Sequence, residues 1–155
     1  MRPNYCAECQ SYYDANLRSK YGIPTGAEES EIRRMEKKLG HSFPPAYRQF
    51  LRWMGNDYEG VLRGSEWFLS DIPNNNKLLP ELLADNGVNS TLNSPYLCFF
   101  SHQGYMAAWF FLSEGGSDPI CYFYSEADSI DNEISVGSFS SFLLTELKGV
   151  EPKAP

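Results

Sequence analysis

From residue 25 to residue 56 the apolar positions recur at helical spacing. Thr25-Gly26-Ala27-Glu28 predicts a helix start, with Thr25 as N-cap and Glu28 three residues on to complete a capping box. Ile32, Met35 and Leu39 then share one face, Arg33, Arg34, Lys37 and Lys38 lie largely on the others, and Gly40 suits the C-terminal stop. A second helix opens at Pro44-Pro45, because proline is tolerated in a first turn that needs no N–H donor. Tyr47, Phe50, Leu51 and Met54 form its one-sided stripe, and Gly55-Asn56 ends it. Beyond residue 60 the period changes. Glu66-Trp67-Phe68-Leu69 predicts a strand, and residues 72–95 read as loop with one short helix near 81–85. Residues 96–100, 106–112 and 120–125 are rich in aromatic and branched side chains and are separated by the turn signals Gly104 and Glu114-Gly115-Gly116-Ser117-Asp118. Ser138 predicts the cap of a last helix, with Phe139, Phe142, Leu143 and Leu147 facing inward and Gly149 at its end.

These elements predict an α+β fold: an antiparallel meander of four to six strands, with two N-terminal helices and one C-terminal helix packed on it. Residues 1–22 lack a clear period and read as an N-terminal extension, residues 23–149 as a single domain, and residues 150–155 as a loose tail.

A chain of 155 residues with 42% apolar and 15% aromatic content supports one proper core and excludes disorder for the body. No stretch is long and apolar enough to span a membrane, and Met1-Arg2-Pro3-Asn4-Tyr5-Cys6 has no secretory pattern, so a cytoplasmic location is expected. Reduced thiols are then the expectation for Cys6, Cys9, Cys98 and Cys121. The net charge of −7 is unevenly spread. Residues 1–63 carry 10 Lys/Arg and 8 Asp/Glu, a balance of +2; residues 64–155 carry 3 and 12, a balance of −9. No basic residue lies between Lys77 and Lys148. That sign repels phosphate backbones and attracts cationic surfaces, which argues against a nucleic-acid partner.

A family likeness adds to this reading. Glu31-Ile32, Glu36, Leu39-Gly40, Phe43-Pro44-Pro45-Ala46-Tyr47-Arg48-Gln49-Phe50-Leu51 and Gly55-Asn56 together resemble the opening of the SUKH (Smi/Knr-like) superfamily. That pattern runs through a helix with Ile and Glu, then Leu-Gly, Leu-Pro, Tyr-Arg-x-Phe-Leu and Asn-Gly. Here Phe43 replaces the Leu, and the last pair is reversed. Phe99-Phe100-Ser101-His102-Gln103-Gly104-Tyr105, Trp109-Phe110-Phe111, Asp118-Pro119-Ile120-Cys121-Tyr122-Phe123-Tyr124 and Ser138-Phe139-Ser140-Ser141-Phe142-Leu143 are similar to later segments of a bacterial subgroup. The likeness implies a stoichiometric immunity protein, monomeric when free, that binds the C-terminal domain of a cognate polymorphic toxin, often a nuclease. Its second implication is a regulatory or scaffold adaptor of the same fold, as fungal relatives suggest. No enzyme activity and no cofactor are implied, and no functional residue carries over.

The remaining chemistry is sparse. Cys6-Ala7-Glu8-Cys9 is a CxxC pair, but a structural zinc needs four ligands and no second pair follows, so no metal site is expected. His102 with Ser101 or Cys98 and Asp118 has the residue types of a nucleophilic triad without a nucleophile-elbow pattern around it. The expected partner-binding residues are Tyr122, Tyr124, Glu126, Asp128, Asp131 and Glu133: carboxylates to dock on a cationic cleft, and aromatics to supply desolvated contact area.

Overall fold

The computed structural model describes residues 3–88, 92, 94–112, 116–127 and 134–150. The two opening helices of the sequence reading are α3 (Glu29–Leu39) and α4 (Pro45–Met54), preceded by α1 (Ala7–Asn16) and α2 (Arg18–Tyr21). After a 3-10 turn at Leu69–Asp71 come α5 (Ile72–Asp85), strands β1 (Tyr96–His102), β2 (Met106–Phe111), β3 (Ile120–Ser125) and β4 (Ile134–Ser138), and finally α6 (Phe139–Gly149). The strands pair antiparallel in the order β1-β2-β3-β4, so the predicted α+β meander is observed at four strands. Among the described residues no helix is long and apolar enough to cross a membrane.

The start of α3 differs from the sequence expectation. Gly26 runs so close to α4 that a Cβ there would collide with the carbonyl of Arg52, and the Ala27 N–H donates to Leu51 O at 2.8 Å. This segment is therefore held extended along α4, and the helix begins only at Glu29. Glu28 is the N-cap, and the Glu31 carboxylate accepts its N–H at 2.8 Å. Gly40 closes the helix in the left-handed conformation, as its lack of a Cβ permits. Arg48 of α4 then ties the two helices: its guanidinium donates to both Glu36 carboxylate oxygens at 3.1 and 2.9 Å and lies 2.7 Å from Glu29 Oε1. Burial pushes the Glu36 carboxyl up, but the Arg48 guanidinium and the Phe43 N–H outweigh it and hold the group below its ordinary value.

The sheet separates two cores. Alternation along the strands sends Leu97, Phe99, Ala108, Phe110 and Cys121 to the side where α1, α3, α4 and α6 pack, around Ile32, Tyr47, Phe50, Leu51, Phe139 and Leu143. A bulge in β1 between Cys98 and Phe100 adds Phe100 to that side, against Trp67. The other face carries Cys98, Ala107, Trp109 and Tyr124, covered by Leu79, Leu82 and Leu83 of α5 and by Val88.

Two sequence expectations fail here. Residues 66–69 are not a strand: Glu66 alone bridges to Ser101, and the Asp71 carboxylate caps Phe68 N at 3.0 Å to start the 3-10 turn. The short helix expected near 81–85 is the end of a longer one: the stretch read as loop before it is also helical, and α5 runs 14 residues from Ile72, with Pro73 in its first turn and Pro80 inside it. Proline at 80 brings no N–H to the carbonyl one turn back. That carbonyl, Asn76 O, instead accepts the Tyr96 hydroxyl at 2.9 Å. The neighbouring amides stitch α5 to β1: Asn76 Oδ1 accepts Cys98 N at 2.7 Å, and buried Asn75 donates to Glu66 O and accepts from Ser101 Oγ.

Residues 3–22 dock on the domain. Cys6, Cys9, Tyr13 and Leu17 are buried between α4 and α6, with the Tyr13 ring edge-on to Trp53. Gln49 grips the chain ahead of α1, accepting Tyr5 N and donating to Pro3 O, both at 2.8 Å.

Candidate partner-binding face

The sheet face served by α5 is covered unevenly: α5 is bonded to β1, and its buried cluster takes in Ala107 and Trp109 of β2 and Tyr124 of β3, while Phe111 and Tyr122 are only partly buried beside it. On β3, residues 120, 122 and 124 alternate onto this face. Their fates differ. Tyr124 is 4% exposed, packed in the α5 core. Tyr122 is half-buried; its ring stacks on Trp109 at 6.2 Å and meets Phe111 edge-on at 5.5 Å. Ile120 is 51% exposed. Phe111 and Tyr122 thus meet beside the buried Trp109, and strand alternation adds the exposed Ile120 to the same face, giving an apolar patch.

Glu126 follows β3 and is exposed; its N–H donates to Tyr105 O at 2.9 Å and its carboxylate accepts Asn86 Nδ2 at 2.8 Å, which joins the end of β3 to the end of α5. Asp128, Asp131 and Glu133 lie outside the described residues. Of the six expected partner residues, Tyr122 and Glu126 are therefore at the surface and Tyr124 is beneath it. Ile120 and Phe111 were missed by the sequence reading. Their signal was the strand alternation itself, which puts a branched side chain and a ring beside Tyr122 on one face.

The cysteines are all buried and free. Burial pushes Cys6 up to about 12, Cys9 to about 11 and Cys98 to about 12, with the Asp118 carboxylate adding to the rise at Cys6 and Cys9. A redox CxxC needs the opposite, a thiolate stabilised near neutral pH. Cys6 and Cys9 instead contact the carbonyls of Ala46 and Ser140, tying α1 to α4 and α6.

The triad residue types are dispersed. Ser101 Oγ bonds Asn75 Oδ1 at 2.6 Å and Glu66, His102 Nδ1 sits 2.7 Å from Ser65 Oγ, and Asp118 accepts the N–H and hydroxyl of Ser140 at the start of α6. Each group already has a hydrogen-bond partner of its own: His102 meets Ser65, whereas Ser101 and Asp118 are engaged by Asn75 and Ser140. Among the described residues no group of three or more His, Cys, Asp or Glu is arranged to hold a metal. A cleft of about 630 Å³ opens between the N-terminal segment and α4, lined by Pro3, Tyr5, Pro45, Arg48, Gln49, Arg52 and Ser117. Its Arg48 and Gln49 are the groups that hold α3 and the N-terminal segment in place, so the cleft is a structural seam.

No curated protein matches the chain in sequence. The family description that matches residues 26–145, from the lead-in to α3 through most of α6, is that of the SMI1 / KNR4 family (SUKH-1). Covering well over half of the chain and all four strands, that match shows that the protein belongs to the SMI1 / KNR4 family.

Proposed function

We propose that the protein is a non-catalytic immunity protein that binds the C-terminal domain of a cognate toxin, one to one, in the cytoplasm and so neutralises it. The observation that carries the reading is a juxtaposition within a SUKH-family chain. The open patch of Phe111, Ile120 and Tyr122 lies in the half of the sequence with 12 Asp/Glu against 3 Lys/Arg. An apolar anchor supplies desolvated contact area, and surrounding negative charge speeds encounter with a cationic cleft such as that of a nuclease. Glu126, Asp128, Asp131 and Glu133 supply that charge in this reading, and Tyr122, stacked against the cross-strand Trp109 ring, is the central contact.

Co-expression with the C-terminal domain of a toxin encoded beside it tests the proposal. Rescue of growth with a stable one-to-one complex is the expected result. Undiminished toxicity with both proteins soluble and no complex overturns it in favour of an adaptor role. Within a complex, Asp128→Lys with Asp131→Lys is expected to slow association at low salt, and unchanged kinetics would remove the acidic docking from the picture.

A further inference from the structure

A surface of opposite sign lies on α3. The helix turns Ile32 into the core and places Arg34 and Lys38 one turn apart on its exposed side. Their basic neighbours Arg33, Arg48 and Arg52 share the Glu29 carboxylate, whereas Arg34 and Lys38 form no ion pair among the described residues. Beside them runs a groove of about 270 Å³, lined by Glu31, Arg34, Met35, Lys38, Asn56, Tyr58, Leu69 and Ser70. Met35, Tyr58 and Leu69 are its apolar part. Tyr58 is 47% exposed yet fixed: its ring lies 4.8 Å from that of Phe68, and its hydroxyl is 2.6 Å from Ser70 Oγ. Glu31, the one acid of the groove, is engaged by the Glu28 N–H and by Asn56 Nδ2.

We propose that this groove is a docking site for an acidic peptide segment bearing one large apolar side chain. The side chain lies over Met35, Tyr58 and Leu69, and the flanking carboxylates pair with Arg34 and Lys38, the arginine through two parallel N–H donors. Charge complementarity selects this occupant: the rim carries two cations that form no ion pair among the described residues, against one acid, Glu31, whose Oε2 is held by the Glu28 N–H and the Asn56 amide. A single-stranded nucleic acid fits less well, since it needs a basic track along the backbone and successive stacking rings, and the groove has one exposed ring. A pre-fixed tyrosine loses little freedom on binding, which favours a short ligand. The site shares no residue with the patch of Phe111, Ile120 and Tyr122, so it gives the protein a second partner surface.

Fluorescence polarisation with a short fluorescein-labelled peptide of Asp and Glu around one central Phe tests this. The wild-type chain is expected to bind at low salt and to release the peptide as salt rises. Arg34→Glu with Lys38→Glu, and separately Tyr58→Ala, are each expected to weaken binding by about tenfold or more, while Lys77→Glu, an exposed lysine outside the groove, leaves it unchanged. Circular dichroism melts confirm that each variant is folded. The proposal is overturned if the peptide binds no better than one with Lys in place of its acids, or if Lys77→Glu costs as much as the groove variants. It is likewise overturned if a uridine oligonucleotide binds more tightly than the peptide and responds to the same charge reversal. Toxin neutralisation that survives the groove variants separates this site from the acidic face.

Discussion

The two faces of the sheet are held by different physics. On the face under α4 and α6, Tyr47 sits among Phe43, Phe50, Phe99, Phe110 and Phe139 with ring centroids 5.4 to 6.4 Å away, mostly edge-on or tilted. That face is packed by apolar rings, and the Tyr47 hydroxyl has no hydrogen-bond partner among the described residues. On the face under α5, burial is smaller and direction matters more: Asn75, Asn76 and Tyr96 each make a specific bond between the helix and β1 or its flank. A core held by apolar area tolerates a misfit polar atom and suffers from lost volume. A seam held by polar bonds suffers from a single lost atom.

Volume loss gives the largest expected contrast. Phe139→Ala, at the centre of the aromatic face, should cost about 3–5 kcal/mol in denaturant unfolding. Leu79→Ala under α5 should cost about 2–3 kcal/mol, since fewer large side chains surround the cavity it leaves. Equal losses would dissolve the distinction between a large and a small core. Next comes the helix tie. Arg48→Ala should cost about 2 kcal/mol, because two glutamates lose charge-assisted bonds. The Glu36 carboxyl lies below its ordinary value of 4.5 in the folded chain, so folding favours its charged form. Its contribution is complete above pH 4.5 and disappears as pH falls through the folded value. Acid unfolding of the wild type should therefore be steeper below pH 4.5 than that of Arg48→Ala, a difference visible in urea midpoints measured down the pH scale.

The smallest effects sharpen the comparison most. Tyr96→Phe strands Asn76 O beside Pro80 and should cost about 1–2 kcal/mol. Tyr47→Phe removes a hydroxyl without a partner from the aromatic face and should be neutral or stabilising by up to about 1 kcal/mol. Opposite signs for the same atomic deletion, read from paired denaturation curves, would establish the two-face picture; matching signs would break it.

Legibility followed the same division. α3, α4, α6 and strands β1 to β3 were readable because apolar burial writes its period into the sequence, as in Tyr47, Phe50, Leu51 and Met54. α1 was missed although Cys6, Cys9, Tyr13 and Leu17 recur at i, i+3, i+7 and i+11, since the stripe is visible only if buried thiols are counted as apolar. α5 was read only at its C-terminal end, as the short helix near 81–85, because Asn74-Asn75-Asn76 and Pro80 are loop signals by local propensity. Their bonds to β1 override that propensity, and those partners are 20 or more residues away for Tyr96 and Cys98. Of the six residues the sequence named for the candidate face, Tyr122 and Glu126 lie at the surface, Tyr124 is buried in the α5 cluster, and Asp128, Asp131 and Glu133 lie outside the described residues.

The sequence by itself determined the family, the order of the main helices and strands, and the split of charge between the two halves. These are properties of residue type and spacing. Which part of the sheet stays exposed was decided only in three dimensions. It depends on where α5 comes to rest, and the bonds from Asn75, Asn76 and Tyr96 that set it over β1 join residues no local pattern connects.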